Sequence, residues 1–221
     1  MNELQNLRAS LLDKVNYDVN EARKCFNFIV GEDSCKAQRV NSINPRDYAD
    51  GVYICYNDGH NELYDGNNPK DDVRGIGLVV GSHSLCVSLE DIDDTTLTNR
   101  DGESGYDKYI SDWDLARMDY DGAENTKHIQ EIGTGIKLAD GEYIPSLGEL
   151  YLIYLYKYKI NDALSYVYGK QIADDWYWSS TEYSATNAWY LNFSNGGQSN
   201  YYKSAYQCRV RPVSAFITST L

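Results

Sequence analysis

The chain has 221 residues, of which 42% are hydrophobic and 24% are charged, and its formal net charge is −13. This composition excludes a disordered chain, and the acidic charge disfavours nucleic acid and anionic membrane surfaces as partners. Tyrosine is the unusual component, with 21 residues against 4 tryptophans and 4 phenylalanines. We therefore expect an aromatic-rich α+β protein in which some of the tyrosines have a functional purpose.

The first part of the chain has the pattern of one amphipathic helix over residues 2–30, because apolar residues recur every three or four positions. The stripe consists of Leu4, Leu7, Leu11, Val15, Val19, Ala22, Phe26 and Ile29. The pattern leaves open whether this helix packs on its own domain or joins a second copy or another assembly partner. We expect an N-terminal helical segment at residues 1–46 and a second domain at residues 47–221. Neither a secretion signal nor a membrane span is expected.

The second domain begins with β-rich sequence. GVYICY at 51–56 predicts a strand, and RGIGLVVGSHSLCVSL at 74–89 predicts a hairpin that turns at Gly81-Ser82. The acidic stretches EDIDD (90–94) and DYDG (119–122) match no calcium-binding loop. We expect them to be solvated loops, with a structural cation as the alternative, and we expect no cofactor.

Helices are predicted for the middle of the domain. ISDWDLARM and NTKHIQEIG indicate short helices, and Ser146 with Glu149 forms a capping box that predicts a helix start. This helix has an apolar face, and a second helix follows and ends at Gly169. The first face comprises Leu147, Leu150, Tyr151, Tyr154, Leu155 and Tyr158, and the second comprises Ile160, Ala163, Leu164, Val167 and Tyr168.

The last fifty residues predict closely spaced strands, with a turn at 195–197. Alternation places Trp189, Leu191 and Phe193 in the core and Tyr190, Asn192 and Ser194 in solvent. By the same alternation, Val210 points inwards and Arg209 and Arg211 point outwards. An outward surface of Tyr, Asn and Ser has the composition of antibody binding loops, in which rigid aromatic rings and adaptable polar groups recognise ligands. The alternative is an ordinary β-rich surface.

Catalytic chemistry is not expected. Cysteines at 25, 35, 55, 86 and 208 are scattered, without a C-x-x-C motif, and we expect them to be free thiols. His83 and Cys86 are close in sequence but fall in the predicted hairpin, so a packed thiol is favoured over a catalytic pair or a metal site.

Three blocks carry a resemblance to a known family: YIPSLGEL (143–150), WYWSSTEYSATNAWYLNFSNG (176–196) and RVRPVSAF (209–216). Together they resemble the variable proteins of diversity-generating retroelements, in the branch of the C-type lectin fold related to formylglycine-generating enzyme. The resemblance implies a C-type-lectin-like domain that binds a cell-surface protein or glycan, on a phage tail or a bacterial surface. The alternative is a structural or assembly subunit of a phage tail or surface appendage. Formylglycine-generating relatives use a cysteine pair in the C-terminal core, where this chain has Cys208 alone, so that activity is not expected.

The resemblance also implies which residues vary. In such proteins a reverse transcriptase changes Asn codons at adenines, which cannot produce Gln, Lys or Trp. Trp189, Gln198, Lys203 and Gln207 are therefore expected to be fixed framework residues. The candidate variable, ligand-binding positions are Tyr183, Thr186, Asn187, Tyr190, Asn192, Asn195, Ser199, Asn200, Tyr201, Tyr202, Ser204 and Tyr206.

Overall fold

A computed structural model of the protein describes residues 48–100 and 109–216. These residues form a mixed α+β fold in which β-sheet dominates and a few helices contribute. The helix predicted over residues 2–30 lies outside the described residues, as do Cys25 and Cys35. Within the described ranges, no helix is both long enough and apolar enough to cross a membrane.

The described chain begins and ends with a run of five strands, and its helices lie between these two runs. The strands are β1 (Gly51–Tyr56), β2 (Asn61–Leu63), β3 (Val73–Val80), β4 (His83–Ser88), β5 (Ile92–Thr95), β6 (Glu142–Tyr143), β7 (Trp176–Glu182), β8 (Asn187–Asn192), β9 (Gln198–Tyr202), β10 (Cys208–Val210) and β11 (Val213–Ser214). The helices are α1 (Trp113–Ala116), α2 (Gly122–Ile132), α3 (Leu147–Leu155) and α4 (Lys157–Tyr166).

One sheet has six strands in the order β2-β1-β3-β4-β11-β6, and all of its pairs are antiparallel. The predicted hairpin is confirmed, because Val80 of β3 pairs with His83 of β4. Gly81 in the turn has φ of 63°, a left-handed conformation that glycine adopts at low cost.

The other sheet has five strands in the order β5-β10-β7-β8-β9. Its pairs are antiparallel except β10 with β7, which is parallel. The turn between β8 and β9 contains Gly196 with φ of 72°. A Cβ atom at Gly196 would lie 2.6 Å from the ring of Tyr154, so both the conformation and the packing of this turn require glycine.

The capping box is present: the Ser146 hydroxyl accepts from the Glu149 backbone N–H, and the Glu149 carboxylate accepts from the Ser146 backbone N–H. The prediction that the apolar face of the first helix is buried is wrong at the end of that helix, where Leu155 is 68% exposed and Tyr158 is 90% exposed. The reason is that α3 ends at Leu155 and α4 begins at Lys157, so Tyr158 does not continue the phase of α3. In the second stripe Ile160, Ala163, Leu164 and Val167 are buried as predicted, whereas Tyr168 is exposed.

Two apolar clusters cover both faces of the five-stranded sheet. The larger cluster packs α3 and α4 against one face of this sheet and against the six-stranded sheet, and it contains Trp189, Leu191 and Phe193. The second cluster contains Trp178, Tyr190 and Val210 from the sheet together with Ile129 of α2. Strands β7 and β8 are consequently buried on both sides.

Candidate ligand-binding surface

The candidate site lies on β9, the last strand of the five-stranded sheet. Tyr201 and Tyr202 are 46% and 50% exposed, and they are the most exposed aromatic side chains of the predicted set. The strand is held in register by β8, because Asn187 pairs with Tyr202 and Ala188 pairs with Tyr201. Successive residues of a strand point to opposite faces, so the two tyrosines place phenol groups on both sides of the strand.

Tyr190 corrects the sequence prediction. It was expected to face solvent, but it is buried, with 7% exposure. Its ring centroid lies 4.5 Å from that of Trp176 and 5.5 Å from that of Trp178. The alternation rule assumes one solvated face, and β8 has none, because the second apolar cluster covers the face that carries Tyr190.

A row of aromatic rings links this buried residue to the exposed surface. The Tyr206 ring lies 5.6 Å from Tyr190 and 4.7 Å from Tyr201, and the Tyr201 and Tyr202 rings meet edge to face at 5.7 Å. Burial raises the pKa of the Tyr206 hydroxyl above its ordinary value. The exposed tyrosines therefore rest on packed aromatic groups, and their hydroxyl groups can donate and accept hydrogen bonds.

Amide and hydroxyl groups accompany Tyr202 on its side of the strand. Asn187 Nδ2 donates to Asn200 Oδ1 at 3.0 Å across the β8–β9 pair, and Thr186 Oγ1 donates to Asn187 Oδ1 at 2.8 Å. The ring of Tyr183 packs 5.3 Å from that of Trp189. These half-buried side chains form an ordered polar surface beside the exposed phenol of Tyr202.

The remaining predicted positions do not all join this surface. Asn192 and Asn195 lie at the opposite end of the hairpin, where Asn192 Oδ1 accepts from the Ser194 backbone and Asn195 Oδ1 accepts from the Gly197 backbone. Their side chains therefore shape the turn. Ser199 and Ser204 are half-buried, and Ser199 pairs with the buried Tyr190.

Three of the four expected framework residues are buried. Trp189, Gln198 and Lys203 have exposures of 1%, 4% and 0%, whereas Gln207 is exposed. The Lys203 ammonium group pairs with the Glu182 carboxylate, and the two side chains are 0% and 2% exposed. This ion pair fixes the chain immediately after Tyr201 and Tyr202.

Arg211 is the second correction, because it was predicted to point outwards and is 0% exposed. Its Nε donates to Asp91 Oδ1 at 2.6 Å, and its Nη1 donates to the Ser88 carbonyl at 2.8 Å. The alternation fails here because the chain crosses between the two sheets after β10, so Arg211 lies between them. Arg209 is partly exposed, and its Nε donates to Asp175 Oδ2 at 3.0 Å.

The acidic stretch at 90–94 is not the solvated loop that was predicted, because Ile92–Thr95 form β5 and the Asp91 side chain is fully buried. Asp91 pairs with Arg211, and Asp93 pairs with Lys170 and Arg209. Within residues 48–100 and 109–216, no group of three or more His, Cys, Asp or Glu side chains is arranged to hold a metal ion.

The described cysteines are buried free thiols, as predicted. Burial raises the pKa of Cys55 and of Cys208 well above the ordinary value, which disfavours the thiolate that nucleophilic chemistry requires. A hydrogen bond with Cys55 instead lowers the pKa of Cys86, but all three thiols are buried, with exposures of 2% or less. His83 stacks on Tyr120 with ring centroids 3.8 Å apart.

Comparison with known proteins finds similarity at the level of structure. The chain matches no protein-family model, and no curated protein sequence matches it significantly. Its structure is similar to the crystal structure of a fimbrial protein from Bacteroides ovatus ATCC 8483, with a TM-score of 0.58 and 17% sequence identity. The chain shares a β-rich fold with that fimbrial protein. The similarity covers 76% of this chain and 49% of the fimbrial protein, so the chain spans about half of its length.

Helix α1 also contributes to this region, and the sequence did not predict its contribution. The Trp113 ring packs 5.5 Å from that of Trp189, and Gln198 Nε2 donates to the Trp113 carbonyl at 2.9 Å. Trp113 itself is 48% exposed. An isolated tryptophan in a short acidic helix carries no sequence signal for contact with a strand about seventy-five residues later.

Proposed function

We propose that this protein is a noncatalytic recognition module whose β9 surface, centred on Tyr201 and Tyr202, binds a cell-surface protein or glycan. The observation that carries the proposal is that two half-exposed phenols stand on a packed aromatic row. Rigid support lowers the entropy that is lost when a ligand orders the contact residues. Tyrosine is also the residue that binding loops favour, because it gives a large contact area with few rotatable bonds.

The proposed architecture is a C-type-lectin-like domain whose surface is diversified by a retroelement. In support, the three sequence blocks that carry the resemblance come together: Arg209 of the third pairs with Tyr177 of the second, and Val213 of the third pairs with Tyr143 of the first. Trp, Gln and Lys are residue types that changes at the adenines of an Asn codon cannot produce. Of the positions that carry them, Trp189, Gln198 and Lys203 are buried. A buried fixed set next to the exposed Tyr201 and Tyr202 is what a rewritable surface requires.

A binding assay on intact cells tests the recognition function. The full chain is labelled with a fluorophore and applied to a glycan array and to a panel of bacterial strains, and binding is measured by array fluorescence and flow cytometry. We expect the double variant Y201S/Y202S to lose at least about tenfold in affinity for whatever the unmodified chain binds. The matched control is Y158S/Y168S, which removes two tyrosines that are 90% and 82% exposed on the helical side. Equal binding by both variants contradicts the proposal.

A second candidate function is assembly of a surface appendage. The observation in its favour is the similarity to a fimbrial protein. In that case the chain contacts sister subunits, and the amphipathic segment at residues 2–30 is the expected joining element. Light scattering separates the two functions: assembly predicts a mass that rises with concentration for the full chain and falls to that of one copy when residues 1–46 are deleted.

The proposal that the protein is not an enzyme has its own test. The buried Cys208 thiol, with its raised pKa, argues against cysteine-dependent oxidation of the formylglycine type. Incubation with a cysteine-containing sulfatase peptide and mass spectrometry of the product is expected to show no conversion to the aldehyde. Conversion that is lost in C208S would overturn this part of the proposal.

A further inference from the structure

An apolar patch lies on the segment that precedes α2. Trp113, Leu115 and Met118 are 48%, 62% and 70% exposed, within six residues of one another. Single exposed apolar residues need no explanation, but a contiguous group rimmed by polar residues indicates an interaction surface.

The patch borders an open cleft of about 600 Å³. Its apolar lining comes from Tyr109, Ile110, Leu115, Met118 and Tyr120. A cleft of this size accepts several side chains of an extended segment.

The walls of the cleft are anchored to buried residues. Trp189 Nε1 donates to the Ile110 carbonyl at 2.7 Å, and the Ile110 backbone N–H donates to the Glu182 carbonyl at 3.0 Å. The Asp112 carboxylate accepts from the backbone N–H groups of Asp114 and Leu115 at 3.0 and 2.9 Å. The cleft is therefore formed before a partner binds, which reduces the cost of ordering on this side of the contact.

The charge around the cleft is negative. Asp112, Asp114 and Asp121 are exposed, and the buried Asp119 also contributes to the lining. Arg117 is the basic residue of this segment, and it is directed elsewhere: its Nε donates to Gln198 Oε1 at 2.5 Å, and its guanidinium lies 4.8 Å over the Tyr151 ring. A surface that is apolar at its centre and acidic at its rim is complementary to a segment that carries both aliphatic and basic side chains.

We propose that this cleft, here called the acidic cleft, binds a segment of a partner protein in which lysine or arginine alternates with aliphatic residues. A second copy of this chain is a poorer occupant, because two chains of net charge −13 repel each other and would bring the same carboxylates together. This inference goes beyond the proposed function, since the acidic cleft and the Tyr201–Tyr202 surface use different exposed residues.

A model peptide tests the acidic cleft directly. A short fluorescein-labelled peptide of alternating lysine and leucine is titrated with the full chain, and binding is followed by fluorescence anisotropy. We expect saturable binding that weakens by at least about tenfold in L115S/M118S and by about threefold in D114N/D121N. Asp121 precedes α2 without making a side-chain cap, so its replacement leaves that helix intact. Peptides that alternate glutamate with leucine, or lysine with serine, are expected to bind much more weakly.

Matched variants separate this site from non-specific attraction to an acidic protein. L155S removes a leucine that is 68% exposed on α3, and D140N removes an exposed carboxylate from another loop. Both variants are expected to bind the lysine–leucine peptide with an affinity within about twofold of that of the unmodified chain. The same is expected of Y201S/Y202S, so the result of this experiment does not depend on the proposed function.

Either of two kinds of result would overturn the inference, one from the peptide titration and one from the mass of the chain. One is equal peptide affinity in L115S/M118S and L155S, or no saturable binding at all. The other is a concentration-dependent mass of the unmodified chain that L115S/M118S abolishes, which would assign the patch to a second copy. Near-ultraviolet circular dichroism of each variant checks that the fold is retained.

Discussion

Replacing Lys203 by methionine is expected to destabilise the protein strongly. Lys203 and Glu182 form an ion pair with side-chain exposures of 0% and 2%, and methionine keeps much of the lysine volume while removing its charge. Glu182 would then be a buried carboxylate without its cation, which costs about 3–5 kcal/mol. Since a domain is typically stable by about 5–15 kcal/mol, the change removes a large part of the free energy of unfolding and lowers the Tm by about 6–20 °C.

The Lys203 position also makes this variant informative about the binding surface. The Lys203 backbone N–H donates to the Thr186 carbonyl at 3.0 Å, and its carbonyl accepts from the Thr98 backbone N–H at 3.0 Å. The ion pair therefore holds the residue next to Tyr202 against two other segments. Loss of the pair is expected to loosen the exposed tyrosines before the whole domain unfolds.

Urea unfolding followed by tryptophan fluorescence measures the effect, because Trp178 and Trp189 are buried. The control is K127M, which breaks an ion pair to Glu124 whose side chains are 66% and 50% exposed, and its cost is expected to be below about 1 kcal/mol. The double variant K203M/E182Q is expected to recover part of the loss, because no buried charge remains. A loss below about 1 kcal/mol in K203M, or a double variant as unstable as the sum of the two single changes, would refute the reasoning.

Two further predictions concern buried groups away from the binding surface. Burial raises the pKa of the Glu149 carboxyl to about 7 from its ordinary 4.5. The folded state therefore binds this proton more tightly than the unfolded chain does. The free energy of unfolding is expected to fall by about 3 kcal/mol as pH rises from about 4.5 to about 7. In urea unfolding across this pH range, the fall of the unfolding free energy with pH should be smaller in E149Q, which retains the helix cap. An equal fall in E149Q and in the unmodified protein would contradict the raised pKa of Glu149. G77A is expected to cost about 1–3 kcal/mol, because a Cβ atom there would lie 2.6 Å from the Phe216 ring. The control G135A meets no atom closer than 3.4 Å, and equal thermal stability of the two glycine variants would argue against the packing at Gly77.

Local sequence signals predicted local structure well. The capping box at Ser146 and Glu149 and the turn at Gly81 are set by residues three positions apart or fewer, and both are present. The buried side of β8, with Trp189 and Leu191, also followed from alternation. In each case the sequence signal lies within one element or one turn.

Contacts between distant segments were not predictable from one sequence. Tyr190 alternates like a solvent-facing residue, and it is buried only because the second apolar cluster covers the other face of β8. Arg211 has the sequence pattern of a surface residue. It can be buried because the carboxylate of Asp91, about 120 positions earlier, forms an ion pair with it. The local sequence pattern around Tyr190 and Arg211 does not indicate the distant residues that cover them. These contacts form only when the separate segments pack together.

Sequencing the DNA that follows the coding region, together with the same gene from independent isolates, tests most directly whether the β9 surface is rewritten for recognition. We expect a near-copy of the segment that encodes residues 187–216, differing at adenines, beside a reverse-transcriptase gene. Among isolates, the codons for the exposed Tyr201 and Tyr202 are expected to vary, while those for the buried Trp189, Gln198 and Lys203 stay constant. Constant codons at Tyr201 and Tyr202, with variation no greater there than elsewhere in the gene, would contradict a rewritten surface.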